Sequence, residues 1–568
     1  MEDAVLETTL SNSDIKYQKI SMPNSHELPK LEHKLSRALF SPGVHYLQDP
    51  RSKVYNFDPY LSEILPIDQF DFDSITKFVS SSKDKTLAAV TTEHNAKYYC
   101  STSSMTGVLS HMHYTLSNFR PQSLLEFTRH IRYGYGKPTR GAQLPASVIV
   151  RKNGSIYSID SEKSTDREMI LSLMGNSLER MLTQTAEEFE KYKIDESSGK
   201  SSIMTEKEAN VYHYAKMNDF IMRSQLDCID ERLPGTGTFD LKTRAVSAVR
   251  FDIAKVERDS TGYQILKTHG TYESFEREQL ELVKSTLLKY GLQARIGDMD
   301  GIFVAYHNTV RMFGFEYFPL EKIDEILHSF GLPDLQESRL LNNETESDED
   351  LEIIDMKREL SSKLADDEFK LSIGLWDLIL KQIINKEIPD SSFRFITKAV
   401  PVSKFETKLR VIATQINDEE IENLQSMGKD IRSKLIENAD NRDKTKEILE
   451  KHAESIEEAN KKLRKDPIGF DIFIKNFIDS KESLHKHPIY QSLDSTWKIG
   501  VKLDKLSTYT SIGSYDEFLG ERIEMMKMND GVKDDHEVDE FVRKLRRYSE
   551  RGQKIQENES STKVWNND

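Results

Sequence analysis

Two cysteines in 568 residues, Cys100 and Cys228, cannot supply a disulfide framework or a cysteine-based zinc site, and they suit a reducing compartment. No run of about 18 apolar residues is present, so no segment reads as a membrane-spanning helix and any membrane association is peripheral. Positive charge is in deficit: 79 Lys and Arg against 95 Asp and Glu give a net charge of -16. That excludes a uniformly basic nucleic-acid coat but leaves room for a local basic groove. The N-terminal MEDAVLETTLSNSD carries acids where a mitochondrial presequence would carry arginines, so by itself it reads as no targeting signal. In contrast, 26 Phe and 22 Tyr within a 37% hydrophobic content suffice for more than one core.

Periodicity divides the chain into an N-terminal tail (1–34), a region with β-hairpins (35–160), a mixed core (161–335), an acidic linker (336–369), an α+β region (370–520) and a basic helix with tail (521–568). Both TLAAVTTEHNAKYYCSTSS and ASVIVRKNGSIYSID read as hairpins, the second with Asn153-Gly154 as its tight turn. Residues 121–141 read as an amphipathic helix running into a Gly- and Arg-bearing loop. A helix is predicted over 165–190, then strands in VYHYAKM, FIMRSQLDCI and TFDLKTRAVSAV, a helix over YESFEREQLELVKSTLLKYG closed by Gly291, and further strands in DGIFVAYHN and VRMFGFEYFPL. NNETESDEDLEIID reads as a mobile linker or insertion, LSIGLWDLILKQII as a buried helix, and residues 418–465 as a charged helix or helix pair forming a solvated arm.

The chemistry-bearing stretch is QLDCIDERLPGTGTFDLKTR, residues 225–244. Side chains alternate along a strand, so Asp240 and Lys242 share one face while Phe239 and Leu241 take the other, and Asp227 on the preceding strand can meet Asp240 across the Pro-Gly turn. Two carboxylates can hold Mg²⁺ or Mn²⁺, and the adjacent lysine can orient a water and stabilise a pentavalent phosphate. Glu179 on the upstream helix is the first choice for a third acid, with Glu187 or Glu188 as alternatives. Strand, turn, strand between two helices is the order of a PD-(D/E)xK nuclease core, an α/β mixed sheet flanked by helices. A structural salt-bridge cluster is the competing reading of the same residues.

Three long blocks, RALFSPGVHYLQDPRSKVYNFDPYL, YYCSTSSMTGVLSHMHYTLSNFR and MRSQLDCIDERLPGTGTFDLKTRAV, give the chain a resemblance to a fungal, petite-class mitochondrial family of RNA 5'-end processing and degradation proteins. The resemblance spans about residues 35–335 strongly and the remainder more loosely. It implies a mitochondrial matrix location, with peripheral inner-membrane association as an option. It also implies a PD-(D/E)xK fold, single-stranded RNA as substrate, 5'→3' exoribonuclease polarity, and links to the mitochondrial RNA polymerase and the RNA degradation complex. The family's metal-site pattern falls on Asp227, Asp240 and Lys242, with Glu179 completing it. The Gln-x-x-x-Tyr signature of some exonuclease relatives is not matched, because Gln279 is followed by Val283.

RNA contacts are expected from Arg132, Tyr133, Tyr135, Lys137 and Arg140, where cations alternate with rings, and from Gln279 on the downstream helix. His111 and His113 have no third ligand nearby in sequence and read as structural histidines. A second functional reading is a non-catalytic RNA-binding adaptor that stimulates the polymerase or the decay machinery through the charged helices and acidic linker.

Overall fold

The computed structural model describes residues 4–565 except 23–26, 126, 132–133, 167–169, 196–200, 204–209, 253–260, 333–347, 439–440, 484, 530–537 and 558–563. It is a mixed α/β protein in which helices flank two principal sheets. The larger has twelve strands. Its path runs from Ala4–Ser11 through Trp497–Lys505, Ile468–Ile478, Thr407–Gln415, Phe393–Pro401, Ala146–Asn153, Ile156–Ser161, Tyr98–Ser101, Phe220–Leu226 and Val211–Met217 to Tyr17–Ile20. The smaller follows the order Cys228–Ile229, Thr238–Ala245, Gly301–His307, Met312–Pro319 and Val44–Tyr46.

This topology corrects the division into successive regions. Residues 1–34 are not a tail, because Ala4–Ser11 closes one edge of the large sheet against Trp497–Lys505 and Tyr17–Ile20 closes the other against Val211–Met217. The region 370–520 is not separate either: Phe393–Pro401 pairs with Ala146–Asn153. The 336–369 linker fails for its described part, where Asp348–Gln382 is one 35-residue helix. From Leu360 onward its apolar residues, Trp376 among them, enter the main core. Acids at its start are what a helix N-terminus favours, so the composition that read as a linker belongs to a helix end. The part of the linker before 348 lies outside the described residues.

Other expectations shift locally. The first hairpin is instead the helix Lys85–Glu93, N-capped by the Asp84 side chain, followed by the strand Tyr98–Ser101 and the helix Thr102–Leu116. The second hairpin is present, but its two-residue loop is Gly154-Ser155 with a positive φ of 63° at Gly154, the arrangement of a type II′ turn. Residues 121–141 form no helix among their described residues but a small ladder of Gln122–Ser123 with Tyr135–Gly136. Gly291 does not end a helix: Phe275–Ser285 breaks at Thr286, and Leu287–Ile296 runs through Gly291. A Cβ at that glycine would lie 2.9 Å from Ile323 Cγ2, so the glycine serves close helix packing. The arm at 418–465 is a docked pair, Asp418–Glu437 and Arg442–Leu463, with Leu424, Ala453 and Ile456 buried. The basic helix Glu540–Glu557 is anchored as well, through Arg546 to Asp252 at 2.7 Å. No helix among the described residues is long and apolar enough to cross a membrane.

Alternation along the small sheet places its two faces in different cores. Phe239, Leu241, Phe303 and Ala305 pack with Met174, Leu178 and Met181 of the helix Ile170–Thr183. Ile302, Val304 and Tyr306 pack into the main core with Leu287, Leu292 and Ile296. Asp240 and Lys242 are the register neighbours of Ile302 and Val304. A carboxylate and an ammonium therefore occupy positions that the pattern assigns to apolar side chains.

Candidate active site

The chain leaves the large sheet at Leu226 and pairs again in the small one from Cys228, opposite Phe239. Asp227 sits at this junction. Because the Cys228–Ile229 strand covers only the start of Thr238–Ala245, the rest of that edge has no strand paired to it. Asp227 Oδ2 accepts the Leu241 N–H at 3.1 Å, and its Oδ1 accepts from Gln225 Nε2 at 3.5 Å. The carboxylate thus satisfies a strand donor that lacks a ladder partner and is held beside Asp240.

On the main-core face of Thr238–Ala245, alternate residues meet successive turns of Leu287–Ile296 and its preceding residue. Asp240 Oδ1 accepts from Gln293 Nε2 at 3.3 Å, Lys242 Nζ lies 5.6 Å from the Tyr290 ring centroid, and Arg244 Nη1 donates to Thr286 Oγ1 at 3.3 Å. Two strand residues advance about 6.6 Å and three or four helical residues about 5 Å, close enough for the two rows to match over three steps. Within the row Lys242 Nζ and Asp240 Oδ2 are 2.7 Å apart, with the Asp240 side chain fully buried.

Glu179 arrives from the other side of the strand, on Ile170–Thr183, four residues after Gly175, which faces Thr243. Burial pushes its carboxyl up to about 8, reinforced by Asp227 and opposed by Lys242 and Arg180. Asp240 is raised well above the ordinary carboxylate range by burial; Lys242 opposes the rise and Asp227 adds to it. Burial works against the Lys242 ammonium, but Asp240 and Asp227 outweigh it and hold its pKa above the ordinary value. Three carboxylates around one lysine are crowded enough that two of them favour a proton. An all-oxygen donor set whose acids hold protons because they are buried and crowded fits a hard divalent cation such as Mg²⁺ or Mn²⁺ in their place.

A second charged cluster is also buried. His113, His328 and Glu368 offer ligand atoms within 4.8 Å of one another, the one such group among the described residues. The carboxylates of Glu179, Asp227 and Asp240 are less tightly gathered. Glu368 accepts from His113 Nδ1, from His328 Nε2 at 3.3 Å and from Arg120 Nη1 at 3.0 Å. His111, for its part, bonds the Leu144 carbonyl and the Ala399 N–H.

Glu188 caps its own short helix through Thr185, so it is not brought to the site, and Glu187 shares that helix. Arg132 and Tyr133 lie outside the described residues. Tyr135, Lys137 and Arg140 are exposed on the 121–141 loop, with Tyr135 edge-on to Phe330 and Arg140 paired with Glu524 at 3.1 Å. Gln279 is not at a groove: it is buried and donates to both oxygens of Glu316, at 2.8 and 3.0 Å, which also accepts from the Tyr306 hydroxyl. Sequence reasoning missed Tyr290 and Gln293, whose spacing of three acquires meaning only once the helix is set against alternate strand residues. It also missed His328 and Glu368, 215 and 255 residues beyond His113.

The family profile described as "Pet127: Mitochondrial protein Pet127" matches residues 78–381. A Saccharomyces cerevisiae protein, "Putative mitochondrial translation system component PET127", is 37% identical over 512 residues, covering 81% of this chain and 58% of its own length. The Schizosaccharomyces pombe "mRNA degradation protein pet127, mitochondrial" is 32% identical over 404 residues, 70% of each chain. The present chain therefore spans a little over half of the budding-yeast relative. Among solved structures, Candida albicans Rai1 in complex with pU5-Mn²⁺ aligns with 12% identity over 74% of this chain and 95% of its own, at a TM-score of 0.27 that carries no argument about fold.

Proposed function

The chain belongs to the Pet127 family of mitochondrial proteins, and on that premise we propose that it is a divalent-metal-dependent exoribonuclease that trims and degrades mitochondrial RNA from the 5' end. The observation that carries the reading is the meeting of Asp227, Asp240, Glu179 and Lys242 at the unpaired edge of Thr238–Ala245. The name of the fission-yeast relative, an mRNA degradation protein, supports RNA as the substrate.

Asp227, Asp240 and Glu179 would hold the cation, which when bound supplies charge neutralisation at the phosphate and a more acidic water. The chain's own residues do the rest. The Leu241 N–H fixes Asp227, and Gln293 fixes one oxygen of Asp240, so that its other oxygen faces Lys242. Lys242, held protonated by two acids and set against the Tyr290 ring, places a positive charge where a phosphate at this edge gains negative charge. The raised Glu179 and Asp240 carboxyls would have to be deprotonated to hold a cation, so its binding would strengthen as pH rises.

The test is incubation of the purified chain with 5'-phosphorylated, 3'-labelled RNA and Mg²⁺. Shortening from the 5' end by wild type and its loss in Asp240→Ala and Lys242→Ala are expected. An inactive wild type, or variants as active as wild type, would refute the enzyme reading.

A further inference from the structure

Beyond Lys242 on the same strand face lies a pair of arginines that the chemistry above does not use. Arg244 is 4% exposed, and its Nε and Nη2 have no hydrogen-bond partner. Arg250, at the end of the Ser247–Arg250 helix, donates to Ser285 Oγ at 3.3 Å through Nη2, while its Nη1 is also unpartnered. Arg244, Glu278, Glu281 and Tyr290 all act on Arg250; burial first, then Arg244, brings it down to about 10. Both facing acids attract Arg250, but their hydrogen bonds are made elsewhere. Glu278 turns its carboxylate to the Ser247 N–H (3.0 and 2.9 Å) and hydroxyl (3.0 Å), and Glu281 pairs with Arg277 at 3.2 Å.

Buried donors without acceptors are costly and two neighbouring guanidiniums repel, so an anion that meets these open N–H groups relieves both penalties. Forked N–H donors match the oxygens of a phosphate. We propose that Arg244 and Arg250 form the subsite for the terminal 5'-phosphate of the RNA, an inference that rests on the exoribonuclease reading. The depth of Arg244 favours a chain end over a strand passing through. The step from Lys242 to Arg244 is about 6.6 Å along the strand, of the order of one nucleotide. A terminal phosphate here places the next phosphate at Asp240 and Lys242, and the product is a mononucleotide.

Fluorescence anisotropy tests this without cleavage, using full-length Asp240→Asn and 3'-labelled RNAs that carry either a 5'-phosphate or a 5'-hydroxyl. The phosphorylated RNA is expected to bind about tenfold or more tighter, as charge-assisted hydrogen bonds imply. Adding Arg250→Gln should bring the two RNAs to parity, and Arg250→Lys should restore part of the gap. Because Arg244 is buried, Arg244→Gln is read only if its thermal melt matches the parent. Equal binding of the two RNAs by the parent overturns the proposal. So does discrimination that survives Arg250→Gln, or an equal weakening of both RNAs, which would assign the arginines to an internal phosphate. An inactive wild type that still discriminates sinks the nuclease reading and leaves the subsite standing; an active one that does not discriminate does the reverse.

Discussion

Two of the buried charge clusters among the described residues are built with opposite balance. At Glu368 one carboxylate receives two imidazoles and a guanidinium, which together hold its pKa well below the ordinary value against the burial that opposes them. At Asp240 three acids share one lysine, and Asp240 and Glu179 are raised. The first cluster is complete: Arg120 already supplies the positive charge, and the group ties the Thr102–Leu116, Leu320–His328 and Asp348–Gln382 helices together. On the reading proposed above, the second takes up a further cation in place of the protons its raised acids favour. Tight ligand spacing alone selects the first, whereas the sign of the uncompensated charge favours the second as the candidate reactive site.

The largest expected effect falls on activity. Asp240→Ala or Lys242→Ala should lower RNA cleavage about a thousandfold while thermal melts show the fold retained, whereas Glu368→Gln in a still-folded chain should leave cleavage near wild type. Next comes stability. Glu368→Ala leaves Arg120 and two histidines buried without their anion and should cost about 3–5 kcal/mol, read as a lower urea midpoint; a midpoint within error of wild type would remove the structural role.

A smaller effect belongs to Gln293→Ala, which frees one oxygen of Asp240. The expected loss is about 1 kcal/mol, or roughly fivefold in the rate of cleavage, with no change in the urea midpoint.

The smallest is a pair of opposite pH dependences. Glu179 binds its proton more tightly folded than unfolded, with a pKa raised from 4.5 to about 8. Without metal its contribution is therefore lost as pH rises through that window, and Asp240 acts in the same direction. Glu368 is depressed, so its contribution is present above 4.5 and lost as pH falls below it. Melts of metal-free protein across this range should show Asp240→Asn flattening the alkaline limb and Glu368→Gln flattening the acid limb.

Much of the reactive site was legible because its information is local. Asp227, Asp240 and Lys242 lie within 16 residues, and period-two alternation alone puts the last two on one face. Glu179 was legible as an acid on an amphipathic helix, but its choice over Glu187 and Glu188 depended on where that helix packs. Gln293 was hidden because the helix was read as ending at Gly291, a glycine retained for contact with Ile323, and Tyr290 because nothing local sets that helix against alternate strand residues. The architecture was less legible for the same reason. Residues 4–11 were read as part of a tail, and nothing local says that they pair with 497–505 across nearly the whole chain. The acids of 348–355 outweighed, in composition, the Leu360 and Leu364 stripe that makes the segment a core helix.

The most direct measurement is calorimetric titration of Mn²⁺ into the full-length chain and its Asp240→Asn and Glu368→Gln variants at pH 8. The account predicts binding in wild type that is lost in Asp240→Asn and kept in folded Glu368→Gln. Binding that survives Asp240→Asn, or that disappears with Glu368→Gln, would place the metal at the histidine cluster and contradict it.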